Sequence, residues 1–297
     1  MKKKVVFWIE AAINTLAAAI YQKKVLFWIA AIVITLSAAI YQRMTGPTYP
    51  KTFKITLNSH EIKGNLPRTA TSGSNAQIEL SNIPEGFSAT LYYMRYPSNE
   101  GYTPEPFERN GSNLLAFLPS ESPAGKLSYY LQIGHGFNVV NILIDQPVII
   151  RYKGDVPSYI LIPHIFFMFF AMLLSSLAGL FAFGKVESYK FWSWIAVIFL
   201  VLGGLIFGPI VQYYAFGEAW TGVPFGFDLT DNKTLIAFLA WAFALLMNRK
   251  KERPAFIYGA AVVLLVIFSI PHSAMGSELN YSSGKVVTGL INVIHFL

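Results

Sequence analysis

No cysteine occurs anywhere in the 297-residue chain. That excludes disulfides, thiolate metal sites, iron–sulfur clusters and covalent c-type haem. Charge is scarce as well. Asp, Glu, Lys and Arg make up 13% of the residues, against about 25% in soluble domains. With a mean hydropathy of +0.46 and 54% hydrophobic residues, the composition excludes an ordinary soluble domain and points to a membrane protein. The familiar enzyme signatures are missing too: there is no Walker A, Rossmann glycine pattern, GxSxG or HExxH.

Long apolar runs are present instead. A spanning helix needs about 20 apolar residues. Four stretches qualify after the polar middle of the chain: 156–184, 191–217, 234–248 with 231–233 as its interfacial start, and 254–271. Trp192, Trp194, Tyr213, Tyr214 and Tyr258 sit near their ends, as an aromatic belt does. The Gly203-Gly204 pair is read as permitting close helix packing.

The net charge of +7 does not imply nucleic acid. Lys2–Lys4, Lys23 and Lys24 crowd the N-terminus, and Arg249, Lys250, Lys251 and Arg253 form a second cluster. Both flank apolar segments, where basic residues set orientation. Lys185 and Lys190 lie between the first two of the four later spans. The loop 218–233 carries Glu218, Asp228 and Asp231 against Lys233 alone. Basic loops face the cytoplasm, so the loop 218–233, the polar region and the C-terminal tail are expected outside.

The N-terminus says the same thing twice. KKVVFWIEAAINTLAAAIYQ is followed at once by KKVLFWIAAIVITLSAAIYQ, identical at 14 of 20 positions. Glu10 and Asn14 lie four apart in the first copy, on one helix face. A charge in mid-span costs about 2.5–3.5 kcal/mol on insertion scales, so the second copy is the expected span. Parity agrees, because an inside N-terminus and an outside polar region need an odd number of crossings. The first copy then lies on the cytoplasmic surface or extends the helix inward. A cleaved signal peptide is the rival reading of this start.

The polar region 43–157 reads as β. TFKITLN, AQIELSNI, FSATLYYMRYP, KLSYYLQIG and NVVNILIDQPVIIRY are short runs rich in β-branched and aromatic residues. Asn110-Gly111, between two such runs, is a hairpin signal. About seven strands predict a β-sandwich. The segment PAGKLSYY, Pro123 to Tyr130, resembles a late strand of immunoglobulin- and fibronectin-III-like domains. That resemblance implies a sandwich fold and a role in binding or spacing.

The expected organisation is an α+β membrane protein with about five transmembrane helices and a β-sandwich between helices 1 and 2. Residues 1–22 are the degenerate repeat copy and 23–42 the first transmembrane helix or signal anchor. An extracytoplasmic sandwich occupies 43–157, a four-helix bundle 158–271 and an extracytoplasmic tail 272–297. The setting is the bacterial inner membrane. Its partners are the lipid bilayer and a periplasmic or membrane protein, not nucleic acid.

This topology gathers ionisable residues on the outer face. His164 lies six residues into its helix, and His272 follows Pro271 at the end of the last one. Together they form a candidate pair for haem b or a divalent metal, since imidazole suits both. Trp220, Asp228, Asp231 and Lys233 form a candidate outer-face polar site. For the two aspartates, capping of the following helix is the competing role. No catalytic residue stands out. A non-catalytic binding or assembly component is the preferred function. A membrane-embedded haem- or metal-binding redox protein is the alternative, and a small transporter the second alternative.

Overall fold

The computed structural model describes residues 2–98, 100–271 and 278–287, and for residues 2–20 the backbone alone. His272 and the segment 288–297 fall outside the described residues.

The chain is α+β. Helix α1 runs unbroken over Lys2–Thr45, so both repeat copies belong to one helix. Within it, Tyr21–Thr45 is long and apolar enough to cross a membrane. Three more segments meet that standard: α2 (Ser158–Phe183), the stretch Tyr189–Phe216, and α5 (Leu229–Met247). The stretch Tyr189–Phe216 is composite. It consists of α3 (Tyr189–Leu200), a π-helical segment (Val201–Phe207) and α4 (Gly208–Phe216). Helix α6 (Pro254–Ser269) is apolar but shorter, at 16 residues. The molecule is therefore a membrane protein; α1 begins at Lys2, about twenty residues before the expected span 23–42, and the later helices begin and end close to where the hydropathy predicts.

Among the described residues, eleven strands lie between α1 and α2. Strands β1 (Lys51–Leu57) and β2 (His60–Leu66) form a hairpin. Six strands make the largest sheet. They are β3 (Thr69–Thr71), β5 (Phe87–Arg95), β6 (Thr103–Pro106), β9 (Lys126–His135), β10 (Asn138–Ile142) and β11 (Val148–Lys153). The main path is β3-β11-β9-β5-β6, with β10 pairing β9. A three-stranded sheet joins β4 (Ala76–Leu80), β8 (Asn113–Leu118) and β7 (Glu108–Asn110). The predicted hairpin is there: Asn110 pairs with Asn113, and Gly111 takes a φ of +61° that a glycine adopts without strain. The count exceeds the expected seven because β3, β6 and β7 are only three or four residues long. Such strands are too short to show alternation.

Alternation explains the core. Strand β4 buries Ala76, Ile78 and Leu80 and exposes Gln77 and Glu79. Leu118 from the three-stranded sheet, Leu66 from the β1–β2 hairpin, and Leu91, Leu131 and Ile150 from the six-stranded sheet meet in one hydrophobic cluster. Two buried tyrosines tie loops to it. Tyr129 Oη donates to Pro67 O and Tyr152 Oη to Pro119 O, each at 2.7 Å. Deep burial raises both phenols above their ordinary pKa, which keeps them protonated as donors.

Two compact units emerge. The helical unit takes in α1 up to Gln42, Leu161–Gly208 and Lys233–Ile270. Its own core includes Leu177, Phe181, Leu200, Trp241 and Leu264. The β-rich unit takes in Arg43–Ile160 and also Pro209–Asn232. The hairpin of β12 (Glu278–Asn280) and β13 (Lys285–Val287) belongs to it as well.

Candidate functional site

The predicted polar residues divide between the two units. His164 and Lys233 belong to the helical unit, and Trp220, Asp228 and Asp231 to the β-rich one. His272 lies outside the described residues. Among the described residues no group of three or more His, Asp or Glu is placed to hold a metal ion.

His164 sits one residue after Pro163, inside α2. Its Nδ1 lies 3.0 Å from Gly203 O, in the π-helical segment. The same carbonyl accepts the Gly208 backbone N–H across the wider turn. Here the glycine pair allows close approach, as the sequence suggested. A Cβ on Gly203 would stand 2.9 Å from the Met168 backbone nitrogen, and one on Gly204 would stand 2.6 Å from Thr234 Cγ2. Donation from Nδ1–H to a backbone carbonyl is the tautomer that leaves Nε2 with its lone pair. Lys233 has an architectural task. It is buried and donates to Ile270 O at 2.8 Å, while Gln42 Nε2 donates to Phe268 O at 2.7 Å. These donors satisfy carbonyls that the end of α6 leaves open.

In the β-rich unit the aspartates hold the loop together. Asp228 Oδ1 accepts the Thr230 N–H at 2.8 Å, the capping role foreseen for it. Asp231 does more than cap. Its Oδ2 accepts Thr221 N at 2.6 Å, Gly222 N at 3.0 Å, Gln212 Nε2 at 3.1 Å and Thr221 Oγ1 at 3.2 Å. Gly222 must be glycine here, since a Cβ would meet Asp231 Cβ at 2.6 Å. Asn232 Oδ1 takes the next N–H, from Val223, and Trp220 Nε1 donates to Val223 O. Trp220, Asp228, Asp231 and Asn232 thus turn onto the loop's own backbone. Val223, Phe225 and Phe227 are exposed on it.

Sequence reasoning missed how this loop joins the strands. At the end of β11, Gly154 N donates to Ala215 O at 2.8 Å, and a Cβ on Gly154 would collide with Tyr214 O at 2.2 Å. The Arg151 guanidinium stacks over the Phe216 ring at 4.1 Å. Burial draws Arg151 down to about 10, while the Asp228 and Glu278 carboxylates hold it up, so it stays cationic at neutral pH. Beside it on β9, Lys126 Nζ pairs with Glu278, and Tyr281 Oη both accepts from Lys126 N (2.9 Å) and donates to Lys126 O (2.8 Å). Burial lowers the Lys126 pKa, and Glu278 opposes that. Gln212 had one sequence signal, an amide inside an apolar run. Arg151 had none, because an arginine on the alternate face of a strand reads as solvated.

Comparison of the chain with protein-family models, curated proteins and solved structures finds no match in any of the three.

Proposed function

We propose that the protein is a multi-pass component of the bacterial inner membrane that displays an immunoglobulin-like β-sandwich on the periplasmic side and works by binding a partner. The grouping of Pro209–Asn232 and the β12–β13 hairpin with Arg43–Ile160 carries this reading. Segments built into one folded unit share a side of the membrane, and these are the segments that charge asymmetry assigns outside. The basic loops are linked in turn: Lys190 Nζ pairs with Glu252 at 2.7 Å, and Lys23 Nζ donates to Gly184 O at 2.7 Å. That is the pattern expected of a common cytoplasmic side. The sandwich reading rests on the shared core of the three- and six-stranded sheets and on the PAGKLSYY segment that leads into β9. Asp228 and Asp231, engaged in holding their loop, favour an architectural role for that region over a catalytic one.

Cross-linking in intact cells followed by purification tests the binding role. A partner recovered in fixed stoichiometry and lost when the β-rich unit is replaced by an unrelated periplasmic domain is expected. Recovery of the same partner with the replaced version would sink the idea. A second reading, a haem b or metal site using His164 and His272, draws on the His164–Gly203 hydrogen bond, which leaves Nε2 as a ligand atom. A Soret band in purified protein that disappears in His164→Ala is its test.

A further inference from the structure

The outer face of the six-stranded sheet carries a second feature, away from Arg151 and Lys126. Cross-strand partners share a face of a sheet. Leu91 pairs with Leu131 and both are buried, so the adjacent pair Tyr92 and Tyr130 projects from the opposite face. Their rings stack at 5.0 Å with 5° between planes, and Tyr102 meets Tyr130 edge-on at 4.9 Å. Polar but uncharged groups continue the face. Tyr92 Oη donates to Gln132 Oε1 at 3.4 Å, Gln132 Nε2 donates to Asn141 Oδ1 at 3.0 Å, and Tyr102 Oη lies 3.1 Å from Ser128 Oγ. By register, Thr90 lies opposite Gln132, and Ser88 lies two residues further along β5. Ser88 and Asn141 are exposed, while Tyr92, Tyr130 and Gln132 are half-buried.

We propose that this face binds a neutral linear polysaccharide, the rings taking the C–H faces of the sugars and the amides and hydroxyls taking their hydroxyl groups. The proposal rests on the periplasmic display argued above and names the ligand class for it. Three properties select this occupant. Ser88, Thr90, Tyr92, Tyr130, Gln132 and Asn141 include no charged residue, and Arg151 and Lys126 on the other half of the face are covered by Phe216, Glu278 and Tyr281, so these six side chains draw no anionic or cationic chain electrostatically. Aromatic faces reward the apolar side of a flat ring. Amides and hydroxyls both donate and accept, as sugar hydroxyls do, whereas a proline-rich peptide, the other usual ligand of aromatic surfaces, offers chiefly acceptors. Strands about 4.8 Å apart make the β6-β5-β9-β10 face about 14 Å wide, enough for a short oligosaccharide.

The test uses purified full-length protein in a detergent without a sugar headgroup. Isothermal titration is run with cellohexaose, chitohexaose, maltohexaose, polygalacturonate and a proline-rich decapeptide. Saturable binding of at least one neutral hexasaccharide is expected. That binding should weaken about tenfold or more in Tyr130→Ala and in Gln132→Ala, yet stay within about threefold in Tyr130→Phe, with near-UV circular dichroism unchanged. Failure of every neutral hexasaccharide to bind overturns the proposal. Preference for polygalacturonate or the peptide, or undiminished binding by a folded Tyr130→Ala, does the same. Because binding in micelles is independent of membrane orientation, a cytoplasmic β-rich unit would defeat the display reading without touching this result.

Discussion

Toward β11, the outer face of the six-stranded sheet carries Arg151 and Lys126 and is covered by Phe216, Glu278 and Tyr281. Toward β6 and β10, the same face carries Tyr92, Tyr130 and Gln132 and leaves Ser88 and Asn141 exposed. This inverts the simplest expectation, in which charges meet water and aromatics are covered. On the covered half each cation has a partner in a segment that arrives from elsewhere in the chain, so burial is compensated. On the open half the rings need no covering segment, because they pack on one another and the hydroxyls of Tyr92 and Tyr102 have partners. Polarity alone therefore does not say which part of a sheet stays open.

The contrast can be broken experimentally, most forcefully at Arg151. Arg151→Ala removes the cation from Phe216 and takes a favourable charge away from the Asp228 and Glu278 carboxylates in a partly buried site. It should cost the β-rich unit about 2–3 kcal/mol, read as a lower unfolding midpoint in denaturant. Tyr130→Ala, on the open half, should cost less than about 1 kcal/mol in the same assay. Equal losses would erase the distinction between the halves. A smaller effect is expected at Asp231. Asp231→Asn weakens acceptance of two backbone N–H groups and the Gln212 amide, for about 2 kcal/mol, and should open the 218–228 segment to protease before the strands unfold.

The weakest effect belongs to a surface cluster of three charges on the β1–β2 hairpin. Glu61 lies between Lys54 (2.7 Å) and Lys63 (2.5 Å), and hydrogen bonds from these two lysines hold its pKa at about 2, below the ordinary 4.5. A depressed carboxylate stabilises the fold above its unfolded pKa. That contribution should be lost as pH falls from about 4.5 toward 2. Glu61→Gln should flatten this acid dependence of the β1–β2 hairpin and leave melting at neutral pH nearly unchanged, as exposed pairs do.

What was legible in the sequence was local. Apolar runs fixed the helices to within a few residues because a bilayer demands length and apolarity together. Gly111 and the alternation of β4 marked their own elements. The union of Pro209–Asn232 with the strands rests on Gly154 against Tyr214 and on Arg151 over Phe216, contacts across sixty residues or more that leave no periodic trace. In the sequence Asp231 reads as a helix cap or as part of an outer-face polar site. Its role as an acceptor for Thr221 and Gly222 depends on a loop path no propensity specifies. The tyrosine face was hidden for another reason: Tyr92 and Tyr130 meet only once β5 and β9 are in register.

The central claim is that the strands, the 209–232 segment and the β12–β13 hairpin form one outward-facing unit. A chain without cysteine allows each position to be tested singly with a membrane-impermeant maleimide on spheroplasts. Cysteine at Ser88, Glu218 or Ser282 should be labelled on intact spheroplasts, and cysteine at Lys185 or Lys250 only after permeabilisation. Labelling of Lys250→Cys on intact spheroplasts, with Ser88→Cys protected until lysis, would contradict the account.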